Sequence, residues 1–262
     1  MSQQALDYEK MPGHWVLASL GKKVLRPGGL ELTRHMLSSL NISNLDTVVE
    51  FAPGLGVTAN MTLQKKPYEY IGVEQNENAA SSVRSYLNGE RRTCIVGDAQ
   101  NTGLEDNVAS VIYGEAMLTM QSAKQKKQIV AEAKRILRPG GKYAIHEMCL
   151  TPETIDEETK AAIQKDLSVA IRVNARPLTI SEWKQVLEEE GFIVTEIKTA
   201  PMHLLRPKRM IQDEGILGVL RIASRVLSNP KARKRVLNMR AQFTKYEQYI
   251  QGVTMVAQLP EK

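Results

Sequence analysis

Cysteine is scarce in this sequence: Cys94 and Cys149 are the two among 262 residues. Two cysteines alone make neither a disulfide framework nor a zinc site. Both sit within apolar, strand-like runs, which reads as buried free thiols and fits a reducing compartment. Long apolar runs are missing as well. No window comes near the roughly 18 consecutive apolar residues of a membrane-spanning helix. Residues 1–10 carry acids and no apolar core, so a secretory signal is not expected and a cytoplasmic location is. The chain also lacks a Ser/His/Asp arrangement, a metal-spaced histidine cluster and a phosphate loop ending in lysine, so no metal site is expected.

Acidic residues are nearly absent from one stretch. His203 to Lys245 holds eleven Lys or Arg against two acids, a net +9. The whole chain is +6, so the remainder is −3. Basicity confined to one segment argues against a protein that coats nucleic acid. Aromatics able to stack on bases are limited there to Phe243 and Tyr246, so no nucleic-acid partner is expected. What is present is otherwise ordinary. A hydrophobic content of 42% with 24% charged residues is enough to bury a real core. The length suits one large α/β domain with an appendage, or two small domains.

Residues 1–46 read as a helical cover. His14 to Leu25 has apolar positions at helical spacing, Arg26-Pro27-Gly28-Gly29 stops it, and Leu30–Leu40 is a second amphipathic helix. Tyr8, His14 and Trp15 could cover a ligand from this side. Strands then alternate with helices. The strands are Thr47–Phe51, Tyr70–Glu74, Thr93–Val96, Ala109–Tyr113 and Lys142–Met148, with helices near 57–65, 77–87 and 122–137 between them. An acidic helix is expected over 153–166. Thr179-Ile180-Ser181-Glu182 is a capping box that opens a helix to Glu190. Strand six is Phe192–Thr199 and the last strand is Tyr249–Gln258. This pattern predicts a doubly wound, mostly parallel seven-stranded sheet with an antiparallel last strand. The expected units are a cover at 1–46, an α/β core at 47–202, a basic helical insertion at 203–248, and the last core strand and tail at 249–262.

The most informative stretch is Thr47-Val-Val-Glu-Phe-Ala-Pro-Gly-Leu-Gly56. A buried strand runs into a turn whose glycines admit a ligand close to backbone N–H groups, with a helix N-terminus behind them. Gly54-x-Gly56-x-x-Ala59 fits the dinucleotide fingerprint, and Glu74 lies at the end of strand two, where an acid holds ribose hydroxyls. That pair points to an adenosine ligand without separating NAD from other cofactors. Gly97-Asp98-Ala99 at the end of strand three adds a carboxylate suited to an adenine amino group. No second mononucleotide half follows.

Taken together, Glu50-x-Ala52-x-Gly54-x-Gly56, Glu74, Gly97-Asp98-Ala99 and Leu137-Arg-Pro-Gly-Gly141 resemble the class I S-adenosylmethionine-dependent methyltransferases over residues 45–150. The resemblance is nearest to the small-molecule branch that includes the quinone C-methyltransferases. In that family the turn reads acidic-x-Gly-x-Gly-x-Gly; here Ala52 stands at the first glycine. The resemblance implies S-adenosyl-L-methionine as cofactor, with Glu50, Ala52, Gly54, Gly56, Glu74, Gln75, Asp98, Ala99, Gly114 and Glu115 as its binding residues. Glu50 and the turn would hold its amino-acid end, Glu74 the ribose, and Asp98 with Ala99 the adenine. Gly114 and Glu115 would face the methyl-transfer site.

Methyl transfer from a sulfonium needs alignment and exclusion of water more than it needs a base. The expected catalytic candidates are Glu115 and, at the end of strand five, His146 and Glu147, with His14 or Tyr8 as bases from the cover. The acceptor is expected to be a small molecule of apolar or anionic character. The insertion is read as a lid in which Met210, Leu217, Leu220 and Met239 could line an apolar pocket. Its arginines could instead bring it to an anionic bilayer, placing the protein at the periphery of a membrane. Other readings of the same features are an NAD-type oxidoreductase, a methyltransferase acting on RNA or protein, and a cofactor-binding membrane-associated module without catalysis.

Overall fold

The computed structural model describes residues 7–261. The first six residues of the expected cover and the last residue of the tail lie outside the described residues. Strands β1 (Thr47–Phe51), β2 (Glu69–Glu74), β3 (Arg92–Val96), β4 (Ala109–Glu115) and β5 (Leu137–Leu150) pair in parallel, and β6 (Leu178–Thr179) adds a short parallel pair to the end of β5. Strand β7 (Ile193–Pro201) lies at the far edge, and β8 (Ile250–Gln258) is inserted antiparallel between β5 and β7. The sheet order is therefore β3-β2-β1-β4-β5-β8-β7, with β6 beside β5. The order reverses between β1 and β4, and a crevice opens outside the carboxyl ends of such strands.

Strand sequence decides burial here. Every residue of β1 is buried, as expected for a strand covered on both faces. On one face Val49, Phe51, Ile112, Tyr143 and Ile145 pack under α5 (Ala123–Ile136) and α7 (Ile180–Glu188). On the other, Val48, Tyr70, Tyr113 and Ala144 pack under α2 (Gly29–Leu40), with Ala59 of α3 (Val57–Gln64) in the same cluster. Helix α4 (Glu77–Arg84) lies beside β2 and β3. Local capping fixes where helices begin. Ser122 with Gln125, and Thr179 with Glu182, both form complete capping boxes.

A third apolar cluster sits beyond the sheet ends. It joins Val16 and Leu17 of α1 (Gly13–Ser19), Ile163 and Leu167 of α6 (Glu157–Ile171), Met202 and Leu204 after β7, and Met239 of α9 (Pro230–Lys245). Cover and insertion thus share one core and form a single cap.

Several elements depart from the sequence expectation. The first helix stops at Ser19 instead of reaching Leu25, because its continuation finds other partners. The Glu214 carboxylate accepts the amides of Lys23 and Val24, each at 2.9 Å. Strand five, expected from Lys142, begins at Leu137, and Arg138 to Gly141 form a bulge inside it across which the β4–β5 register shifts. Helix α8 (Pro207–Ser228) is broken at Gly215, whose φ of 71° and ψ of 166° leave the helical region.

Candidate active site

A cavity of about 580 Å³ lies at the carboxyl ends of β1, β2 and β4, under the cap. One set of walls comes from the sheet: Glu50, Ala52, Gly54, Glu74, Gln75, Asp98, Ala99 and Glu115. The other comes from the cap, with His14 and Trp15 of α1, Ile171 of α6, Met202 and Leu204 after β7, and Met239 and Phe243 of α9.

The turn after β1 owes its shape to left-handed residues, Ala52 (φ 52°), Gly54 (φ 55°) and Gly56 (φ 72°). A Cβ on Gly54 would meet only the Ala52 carbonyl, at 3.8 Å, so the turn presents open backbone there. A Cβ on Gly56 would lie 1.5 Å from the Tyr86 hydroxyl, which donates to the Gly56 carbonyl. The expected ligand-facing amides are engaged elsewhere. Gly54 N–H donates to Glu74 Oε2 at 2.9 Å and Gly56 N–H to the Pro53 carbonyl at 2.8 Å. These two glycines contribute shape, and Gly56 does not line the cavity.

The strand-end acids are held by hydrogen bonds around the ends of the strands and within the sheet. Glu74 accepts from Gly54 N–H and from Asn76 N–H, both at 2.9 Å. Asp98 accepts from the backbone and the side chain of Gln100. Glu50 is buried and accepts from the hydroxyls of Tyr70 (2.7 Å) and Tyr113 (2.8 Å) on one oxygen. Burial pushes its carboxyl up to about 7, against the pull of those two tyrosines.

The expected catalytic trio is placed differently. Glu115 lines the cavity but is locked: it accepts from Thr33 Oγ1 (2.6 Å), from His146 Nδ1 (2.7 Å), and from Arg26 and Thr58. Burial alone would raise its pKa, but Arg26 and His146 overcome this and hold it at about 2. His146 is fully buried and does not line the cavity. Its Nε2 lies 2.5 Å from the Pro27 carbonyl and its Nδ1 faces Glu115. Both ring nitrogens face protein oxygens and neither faces the cavity, so the ring is not placed to receive a substrate proton. Glu147 is also withdrawn from the cavity. It accepts the amides of Met117, Leu118 and Thr119 and the Thr119 hydroxyl, fixing the turn at Leu118–Met120. Burial pushes the Glu147 pKa up, against those four donors. Gly114 is buried beneath Met117 and Phe51 and does not face the cavity.

On the cap side, His14 and Trp15 reach the cavity, whereas Tyr8 packs on the cap core. The His14 ring lies 5.1 Å from that of Trp15, and burial lowers its pKa. Met239 lines the cavity as expected, but Met210, Leu217 and Leu220 do not. Arg26 is the residue that sequence reading missed: in Arg26-Pro-Gly-Gly it signals only a helix stop, yet it anchors the cover to Glu115. No group of three or more potential metal ligands occurs among the described residues.

The arrangement suits S-adenosylmethionine. A ligand with two cationic centres meets a wall carrying Glu50, Glu74 and Asp98, and its chain can approach the bare backbone at Gly54. A family described as a methyltransferase domain matches residues 49–145. An uncharacterized protein of Haemophilus influenzae is 35% identical over 80% of this chain and 83% of its own. Phosphoethanolamine N-methyltransferase of Plasmodium falciparum is 23% identical over 74% of this chain and 80% of its own. Among solved structures, Haemonchus contortus phosphoethanolamine N-methyltransferase 2, in complex with phosphomonomethylethanolamine and S-adenosylhomocysteine, superposes with a TM-score of 0.68. It is 15% identical, covering 95% of this chain and 57% of that one. The chain belongs to the class I S-adenosylmethionine-dependent methyltransferases. It is an enzyme of that class, and S-adenosylmethionine is its cofactor.

Proposed function

We propose that this methyltransferase acts on a small, apolar, uncharged acceptor held under the cap, with His14 taking the acceptor's proton. When bound, the cofactor supplies an electrophilic methyl group on a sulfonium, open to in-line displacement. Glu50, Glu74, Gln75, Asp98 and Ala99 would hold its amino-acid, ribose and adenine parts along the sheet wall. The observation that carries the acceptor class is the cap wall. Leu17, Leu25, Ile171, Met202, Leu204, Met239 and Phe243 make it aliphatic and aromatic. Among the described cover and insertion residues of that wall, the charged or titratable groups are His14, the outward Lys23 and Arg26, and Arg26 is paired with Glu115. A phosphate dianion calls for free arginines or several convergent donors, and the arginine of this wall, Arg26, is engaged by Glu115, Thr33 and Thr58.

His14 fits the proton-acceptor role because burial disfavours its charged form, keeping a lone pair available near neutral pH. A hydroxyl or thiol on an apolar body is the simplest acceptor that needs such help. The cap would shield the site from water and its apolar wall would position the acceptor, both of which favour transfer over hydrolysis. Cover and insertion act here as one lid.

Radiolabelled methyl transfer tests the reading. Alkylated phenols and thiols should accept label and phosphoethanolamine should not. In His14→Ala, kcat should fall roughly a hundred- to ten-thousand-fold, with unchanged affinity for S-adenosylmethionine by calorimetry. Undiminished turnover would remove His14 as the base. Transfer to phosphoethanolamine alone would overturn the acceptor class.

A further inference from the structure

The outward face of the cap carries a surface that methyl transfer does not use. Beyond the break at Gly215, α8 leaves Ile216, Leu217, Leu220 and Leu227 exposed, at 66, 78, 61 and 67%. At helical spacing these four fall on one stripe, with Arg221 and Arg225 along its side. The opposite side of α8 is turned inward and buries Ile222. By sequence pattern Leu217 and Leu220 could line the pocket. They face outward because the helix axis is redirected at Gly215 and Ile222 takes the inner position.

The charge on this face is of one sign. Between 207 and 245 the two acids, Asp213 and Glu214, are turned inward onto the cover. Glu214 pairs with the buried Lys22 at 3.4 Å, and Asp213 accepts from Leu30 N–H at 3.0 Å. Lys208, Arg221, Arg225, Arg233, Lys234 and Arg240 are exposed, and among the described residues none forms an ion pair. On α9 the exposed Leu237 lies on the same face as Arg233, Lys234 and Arg240.

We propose that α8, flanked by the cations of α9, docks the enzyme on an anionic lipid bilayer. An aliphatic stripe set in the acyl boundary with arginines at headgroup level is the physical pattern of an interfacial helix. A second copy of the chain fits less well. A two-fold contact through this stripe would bring Arg221 and Arg225 of both copies together without an acid between them. Nucleic acid would match the cations but leave the aliphatic stripe in water. No helix here is long and apolar enough to cross a membrane, so the contact is superficial among the described residues. The inner face of α9 supplies Met239 and Phe243 to the cavity. Docking therefore sets the cap against the lipid. The proposal rests on the outer surface alone and stands whatever the acceptor is.

Sedimentation with vesicles tests it on the full chain at physiological salt. Phosphatidylcholine vesicles containing phosphatidylglycerol should bind the protein at least roughly tenfold better than phosphatidylcholine alone, and added salt should weaken the contact. Leu217→Asp with Leu220→Asp should abolish binding. Arg221→Glu with Lys234→Glu should remove the preference for phosphatidylglycerol. All four positions are exposed, so circular dichroism melts should match the parent. Absence of binding to either vesicle would overturn the proposal. So would a dimer in sedimentation velocity that the Leu217/Leu220 pair breaks while no vesicle is bound.

Discussion

The sheet wall and the cap wall enclose one cavity, yet their residues come from the chain in different ways. Glu50, Glu74 and Asp98 stand at or just beyond the ends of β1, β2 and β3 in one continuous run of sequence. His14, Ile171, Met202 and Met239 come from four segments scattered across the whole chain. Two acids of the sheet wall are held at the strand ends, Glu74 by Gly54 and Asn76 and Asp98 by Gln100, and Glu50 is held within the sheet by Tyr70 and Tyr113. The cap wall is held by contacts far apart in sequence, such as Glu214 to residues 22–24 and Arg26 to Glu115. The difference predicts separable failures. Damage to Glu74 or Asp98 should cost affinity with the fold intact, and damage to the contact that ties cap to sheet, Arg26 with Glu115, should cost stability first.

The largest effect is expected at Glu115. Its carboxylate satisfies Arg26, Thr33, Thr58 and His146 together in a buried cluster. Glu115→Ala leaves a guanidinium without its counter-charge and an imidazole without its hydrogen-bond partner. Removing one member of a buried ionic cluster costs roughly 3–5 kcal/mol. Thermal melts should drop accordingly, and hydrogen exchange should rise first in residues 13–40 and 207–245. Equal loosening of β1 to β4 would mean that cap and sheet are not separable units.

A smaller effect, of the other kind, is expected at Glu74. Glu74→Gln keeps an acceptor for Gly54 N–H but turns an amide nitrogen toward Asn76 N–H, and it removes the charge beside the ligand. A hydrogen bond to a charged group contributes about 1.5–3 kcal/mol. Affinity for S-adenosylmethionine in calorimetry should fall by roughly one to two orders of magnitude, with the melting temperature nearly unchanged. Unaltered affinity would strike Glu74 from the sheet wall's binding set.

The same contrast explains what could be read from the sequence. Strand order, the glycine turn and the acids at or near the ends of β1, β2 and β3 were legible because each is written locally: β-branched runs, Gly54 and Gly56, and acids at fixed distances from strand ends. The capping boxes at Ser122 and Thr179 were local too. The roles of His146 and Glu147 were not, since strand alternation says which residues share a face but not what waits there. Pro27 and Glu115 meet His146 from distant positions, and the turn at Leu118–Met120 meets Glu147. Arg26 read as punctuation because its partner lies 89 residues away. The outward turn of Leu217 and Leu220 depends on one backbone conformation, at Gly215, which no helical periodicity reveals.

The subtlest expected effect concerns Glu50, where the sheet wall itself depends on pH. Burial lifts this carboxyl from an ordinary 4.5 to about 7. For a raised acid, the favourable contribution to stability is complete below the unfolded value and is lost as pH rises through the folded one. The cofactor-free protein should therefore lose stability, relative to Glu50→Gln, between about pH 4.5 and pH 7. Cofactor binding should respond in the opposite sense. A ligand with cationic centres selects the ionised carboxylate, and the competent fraction grows as pH rises through about 7. Affinity for S-adenosylmethionine should then increase by up to about tenfold from pH 6 to pH 8, and binding at neutral pH should release a fraction of a proton. Calorimetry in buffers of different ionisation enthalpy reads that release directly. Glu50→Gln still accepts from Tyr70 and Tyr113, so it should keep the fold while flattening the pH profile and abolishing the proton release. A parent profile already flat across this range would place the titrating charge elsewhere and leave Glu50 as a purely structural acceptor for the two tyrosines.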